Sequence, residues 1–355
     1  MRSTTLVALS LPCVVAGLIL SACGGVSPQD QKLPLPSDPK AYAPLEKMEA
    51  MKVPETNPVT QDKATLGWIL WFDKRLSGDG SRSCYSCHLN EKGLTDGLAK
   101  NTSAVDGKPL ARNTPTLWNI GYHQNWYWDG RAATLEGQAL AAWKLANMGA
   151  KDKEKDEVRA EVLERINGVP AYKDLFQKAF GGPATEKNVV LALTTFMRTI
   201  ISKDTDWDRY QKGDKKAVSE AAVRGWDVFQ KAKCTNCHSG FLFTDLQFHN
   251  IGIGLKDGKP ADVGRQKVTS QEKDTGAFKT PTLRDVARSG PYFHDGSVAS
   301  LEDAVKFLLA GGGDNPYLDK VNLLKQDLKP EEVKDLIEFL KSLTEHTTIP
   351  EPKVP

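Results

Sequence analysis

The chain has 355 residues, of which 40% are hydrophobic and 26% charged, with a net charge of +2. That length favours two domains over one, and so much charge excludes a bundle buried in a membrane. The balance of signs excludes a strongly basic nucleic-acid binder or an acidic tail.

The first residues are a targeting segment, not part of the fold. Arg2 precedes an apolar run from Leu6 to Leu20 that is too short and too poorly flanked to span a membrane stably. It ends in Leu20-Ser21-Ala22-Cys23, which resembles the bacterial lipobox. Residues 1–22 are then a lipoprotein signal peptide and Cys23 the lipidated residue; the plainer reading is a secretory signal with a chance cysteine. Residues 23–51 suit a flexible tether, because Pro, Ser, Gly and Asp crowd its first half. The expected location is the periplasm, on a lipid anchor.

Four of the six cysteines fall in two like frames, Cys84-Tyr85-Ser86-Cys87-His88 and Cys234-Thr235-Asn236-Cys237-His238. C-x-x-C-H is the attachment signature of c-type haem. Two thiols one turn apart each form a thioether to a vinyl group, and the next imidazole becomes the iron's proximal ligand. Disulfides are open to an exported protein, but two tight pairs would staple little. A zinc site would leave the histidine after each pair unexplained. A thioredoxin-like motif would need a βαβ context that the sequence lacks.

A longer phrase is also written twice. Thr114-Pro115-Thr116-Leu117 leads to Trp128-Asp129-Gly130 and Leu135-Glu136, and Thr280-Pro281-Thr282-Leu283 leads to His294-Asp295-Gly296 and Leu301-Glu302, 166 residues on. Leu66-Gly67-Trp68 loosely echoes Arg224-Gly225-Trp226. Self-similarity on this scale indicates tandem domains, one haem unit duplicated, with Trp128 and His294 marking a divergence of role. The expected fold is mainly α, two tandem cytochrome c-like domains with long loops and minimal β. The N-terminal domain is set at 52–205, the C-terminal at 206–348 and a tail at 349–355, with the last helix free to pack back on the N-terminal domain. Apolar spacing predicts helices over 187–201 and 331–345, a charged surface helix over 151–166, and one candidate strand over 246–254.

These phrases, with L-W-F-D-K-R-L-S-G-D-G, R-N-T-P-T-L and F-K-T-P-T-L-R-D-V-A, resemble the bacterial di-haem cytochrome c peroxidases and their relative MauG over about residues 55–345. The resemblance implies a peroxidatic haem on His88 and an electron-storing haem on His238. Trp128 would carry electrons between them, and Gln138 would lie over the first haem. It also implies a calcium ion between the domains, bound by Asn113 and the carbonyls of Ser289 and Pro291; oxygen donors suit that ion. The substrate would be hydrogen peroxide, the electron donor a small cytochrome c or cupredoxin, and the molecule could pair as a homodimer.

Three departures qualify the resemblance. Residues 89–112 hold no His or Met to block the first iron at rest; His123 could reach that iron, against a bland interface role. Asn147 stands where the family has a glutamate, and an amide cannot take peroxide's proton, a loss of about 10²–10⁴-fold in acid–base catalysis; Gln138 with water, or Glu136, could substitute. Leu308 stands where the family places the second iron's sixth ligand, Met or Tyr; His249 is a weak candidate, against a structural role. Among the aromatic residues Trp118, Tyr122, Trp126, Tyr127 and Trp128, only Trp128 is assigned to function and the rest to packing. Three functions stay open: a peroxidase; a MauG-like oxidase that modifies a partner protein through high-valent haem iron; and a non-enzymatic, lipid-anchored electron-transfer protein.

Overall fold

The computed structural model describes residues 51–144, 146–149 and 155–355. Cys23 and the segments assigned as signal and tether lie outside it, apart from Met51. Helices carry the fold. The first half has α1 (Gln61–Phe72), α2 (Leu135–Trp143), α3 (Lys155–Asn167), α4 (Pro170–Phe180) and α5 (Glu186–Met197). The second has α6 (Asp206–Gln211), α7 (Glu220–Lys231), the single turn α8 (Gln266–Thr269), α9 (Leu301–Leu309) and α10 (Pro330–Lys341). Thr60, Thr134, Thr185, Ser219 and Ser300 cap helix N-termini, each side-chain oxygen accepting a backbone N–H two or three residues on.

Strands are minimal. β1 (Phe248–His249) pairs antiparallel with β4 (Phe278–Lys279), and β2 (Leu255–Lys256) with β3 (Lys259–Pro260). The strand expected over 246–254 is thus cut to two residues. Gly252 and Gly254 have φ of +74° and +66° and turn the chain out of the extended region.

Two separate hydrophobic clusters form. One gathers α1 to α5, with Trp71, Trp118, Phe176 and Phe196 at its centre; the other gathers α6, α7, α9 and α10 around Trp207, Phe229 and Phe339. The same device builds both. At Gly67 in α1 an added Cβ would lie 2.0 Å from the Ala192 carbonyl oxygen of α5. At Gly225 in α7 it would lie 1.9 Å from the Asp335 carbonyl oxygen of α10. Each helix pair therefore meets backbone to backbone, which only glycine allows.

Two expectations are corrected here. The last helix, α10, does not return to the N-terminal half: its apolar face of Leu336, Ile337 and Leu340 is spent on α7. It is the tail that returns. Ile349 and Val354 join the first cluster, Trp68 Nε1 donates to Pro350 O (2.7 Å), and Asn90 and Ile349 exchange two hydrogen bonds of 2.8 and 2.9 Å. Helix α3 is not a fully solvated surface helix either. Val162 and Ile166, four residues apart and so on one face, are buried in the first core.

Candidate functional site

Each C-x-x-C-H frame folds as a single 3₁₀ turn, Cys84–Ser86 and Cys234–Asn236. None of the four cysteines is disulfide-bonded, and burial pushes the Cys84 and Cys234 thiols up to about 12. Each pair sits against a different core cluster, which speaks against one shared zinc site. The imidazoles are held alike: the Nδ1 edge of His88 lies 2.9 Å from Leu94 O, and that of His238 2.9 Å from Phe243 O. With Nδ1 tied to a carbonyl, Nε2 is the nitrogen left to bind iron. Burial lowers both histidines below their usual range, which favours the neutral ring a ligand needs. Around His238 opens a cavity of about 230 Å³, lined by Cys234, Cys237, an aliphatic wall and Trp128. The donors and the cavity fit a covalently held haem.

The two halves meet through equivalent atoms of the repeated phrase. Asn113 N donates to His294 O, and Lys279 N to Trp128 O, both at 2.8 Å. Asn113 matches Lys279, and Trp128 matches His294, at the repeat's own spacing of 166 residues. This is an isologous interface written within one chain. Trp128 Nε1 also donates to Asn113 O at 2.9 Å, so its indole is fixed from one half and its carbonyl from the other. Trp118 Nε1 crosses to Asp285 Oδ2 at 2.9 Å. Arg112 bridges Asp129 of its own half (2.7 Å) and Asp262 of the other (2.7 Å).

Gln138 lies half-buried on α2, and Asn147 lies in the short turn after that helix. Asn147 Oδ1 is buried and has no hydrogen-bond partner among the described residues. Glu136 is not available to replace the missing glutamate. Arg198 grips it through two bonds of 2.7 and 3.1 Å, and Asn57 adds a third of 3.0 Å. Burial would raise that carboxyl, but Arg198 and Asn57 outweigh it and hold it below its usual range.

The two histidines weighed as iron ligands are both engaged elsewhere. His123 is half-buried at the domain interface with Nδ1 3.0 Å from Lys279 Nζ. Burial, then the Lys279 charge, depresses it well below its usual range. His249 lies between two carboxylates, with Nε2 2.9 Å from Asp245 and Nδ1 2.5 Å from Asp319. Its pKa is raised to about 11, the Asp245 hydrogen bond being the largest cause, and with both ring nitrogens tied to carboxylates neither is left for iron. Leu308 lines the second cavity. Asn113 is buried at the interface, its Nδ2 donating to Leu98 O at 2.8 Å. Pro291 borders an open interface cavity of about 400 Å³, and Ser289 packs beside Gly93 of the first half. Of the other aromatics, Trp126 donates to Ile120 O and Tyr127 to Gln138 O, while Tyr122 is half-buried.

Lys279 was not singled out in the sequence. Its ammonium donates to Asn125 O (2.6 Å) and lies against His123, and burial lowers it to about 7. The repeat spacing that pairs it with Asn113 was the available signal.

The comparisons agree with this geometry. Residues 61–216 match the family model described as di-haem cytochrome c peroxidase. The methylamine utilization protein MauG of Methylophilus methylotrophus is 38% identical over 300 residues, 83% of this chain and 86% of that protein. The cytochrome c551 peroxidase of Pseudomonas aeruginosa is 32% identical over 295 residues, 81% of this chain and 80% of that protein. Among solved structures, a MauG-like protein associated with microbial copper homeostasis superposes with a TM-score of 0.79 at 32% identity, covering 88% of this chain and 97% of that one. The chain therefore belongs to the di-haem cytochrome c peroxidase/MauG family of oxidoreductases, which carry two c-type haems.

Proposed function

We propose that the protein reduces hydrogen peroxide at the haem on His88, with electrons delivered by a small redox protein through the haem on His238. The carrying observation is Trp128, which is hydrogen-bonded to both halves and lines the cavity around His238. When bound, the two haems supply the iron that meets peroxide and one electron each. The chain's part is positioning and proton handling. Residues 89–112 hold no histidine or methionine that could block the first iron, which would leave it open at rest. The Asn147 Oδ1, buried without a hydrogen-bond partner among the described residues, would accept a hydrogen bond from peroxide there. Gln138 with water moves the proton, because Glu136 is locked to Arg198. Trp128 fixes the path between the halves.

The missing blocking histidine also suits a MauG-like reading, oxidation of a partner protein. The same experiment opens both: mix fully oxidised protein with hydrogen peroxide, without reductant, and follow the Soret band. A fast change supports an open first iron. A silent trace, unchanged after half-reduction, defeats both readings. Turnover with a donor cytochrome then favours the first, and oxidation of an added protein the second.

Calcium at the interface belongs to the same proposal. Asn113, with Nδ2 tied to Leu98 O, can offer Oδ1, and the Ser289 and Pro291 carbonyls would complete a hard oxygen set. Chelation should then slow peroxide turnover, reversibly on adding calcium. Lipidation at Cys23, location on the periplasmic side of a membrane and pairing into a homodimer are further parts of the proposal. No helix among the described residues is long and apolar enough to cross a membrane.

A further inference from the structure

Helix α9 turns one continuous aliphatic face to the second cavity. Leu301, Ala304, Val305, Leu308 and Leu309 all line it, at the three- and four-residue spacing of a single helix face. None of them can bind iron or donate a hydrogen bond.

The polar side chains around the cavity are engaged elsewhere: Asn322 donates to Asp319 Oδ2 at 2.9 Å and Gln326 to Leu324 O at 3.2 Å. His249 is clamped by Asp245 and Asp319. Lys279 Nζ is spent on Asn125 O and His123. Tyr292 donates its hydroxyl to Val286 O at 3.0 Å. His294 lies flat on Phe278, ring centroids 3.6 Å apart and planes within 12°, with Gly254 against its Nε2 edge. The exposed Lys233 sits directly before Cys234, on the attachment side.

We propose that the second haem has no side-chain sixth ligand and presents an open, apolar-walled face that binds a neutral diatomic gas such as carbon monoxide or nitric oxide. An anion would need a cationic or N–H partner on that face, and α9 offers none. Peroxide would need a group to move its proton, and an aliphatic wall has none. A neutral diatomic needs neither. The chain then holds two open irons of different chemistry, a polar one under Asn147 and an apolar one under Leu308. This inference rests on haem attachment at His238 and not on peroxide turnover.

The test uses the full-length, haem-loaded protein, reduced with dithionite and titrated with carbon monoxide. The expected result is two carbon monoxide molecules per chain, falling to one in Leu308→Met, where a thioether competes. A single bound molecule abolished by Leu308→Met also fits. A single molecule indifferent to Leu308→Met, or none, overturns the proposal. Should Leu308→Met misfold, electron paramagnetic resonance of the oxidised wild type decides. A high-spin second haem agrees, whereas a low-spin one that becomes high-spin in His294→Phe makes His294 the ligand and overturns it. Two gas molecules in a protein that ignores peroxide would sink the peroxidase reading and leave this one intact.

Discussion

The two halves share a backbone plan and differ in what hangs from it. Both cross their main helices at a glycine, both tie the proximal imidazole to a carbonyl, and both donate a backbone N–H across the interface from matched positions. At those positions the side chains part: Asn113 against Lys279, Trp128 against His294, Trp118 against Arg284. Arg284 pairs with Asp208 of its own half at 2.8 Å and also donates to Ser202 Oγ at 3.3 Å, at the end of the first half, whereas the Trp118 indole donates to Asp285 of the second. Duplication fixed the interface through main-chain atoms, which any residue can supply. The side chains at the matched positions were thereby free to diverge.

That contrast can be sharpened or broken by mutation. The largest effect is expected from Asn147→Glu, which would restore a proton carrier to the first half. The rate of reaction with peroxide, followed by stopped flow, should rise by about 10²–10⁴-fold; an unchanged rate would put the proton carrier elsewhere. Next comes Trp128→Phe, which keeps a ring but loses the bond to Asn113 O. Multiple-turnover peroxidase activity should fall about tenfold, or ~1.4 kcal/mol of barrier, while the first reaction of resting protein with peroxide stays fast. If both slow together, Trp128 shapes the pocket and does not serve transfer.

Gly67→Ala and Gly225→Ala test whether the halves are structurally equal. Each forces a methyl group onto a backbone carbonyl, and each should cost about 1–3 kcal/mol in denaturant unfolding. A cost confined to one of them would mean that the second helix pair can shift. The smallest effect is a slope. In the unfolded chain Lys279 holds its proton up to about 10.4, but in the folded protein it releases it at about 7. Between those values the unfolded state binds more protons, so stability from this group rises with pH, and below pH 7 the full burial penalty remains. Lys279→Met should remove that rise, so that the variant's stability curve between pH 7 and pH 10 is flatter than the wild type's. A parallel pair of curves would show that the amine is not the source.

Much of this was legible in the sequence, for reasons that can be named. The C-x-x-C-H frames are local chemistry, complete within five residues. The helices at Glu186–Met197 and Pro330–Lys341 follow from apolar spacing. The repeat could be seen because the crowded interface uses the same Thr-Pro-Thr-Leu backbone on both sides. What stayed hidden depends on distance. Of the carboxylates on His249, Asp245 is four residues away but Asp319 is seventy, so the clamp as a whole could not be read locally. Lys279 looks like a solvated lysine until the loop carrying Asn125 folds over it. In Lys155–Asn167 the charges drew attention away from the buried pair Val162 and Ile166.

The returning tail bears on how the molecule is made. Ile349 and Val354 are part of the first half's core, and Trp68, Asn90 and Arg75 bond to the last residues. Those residues follow the whole second half in sequence. The first half's core is therefore complete only once the second half has been made, which ties the stability of the two halves together.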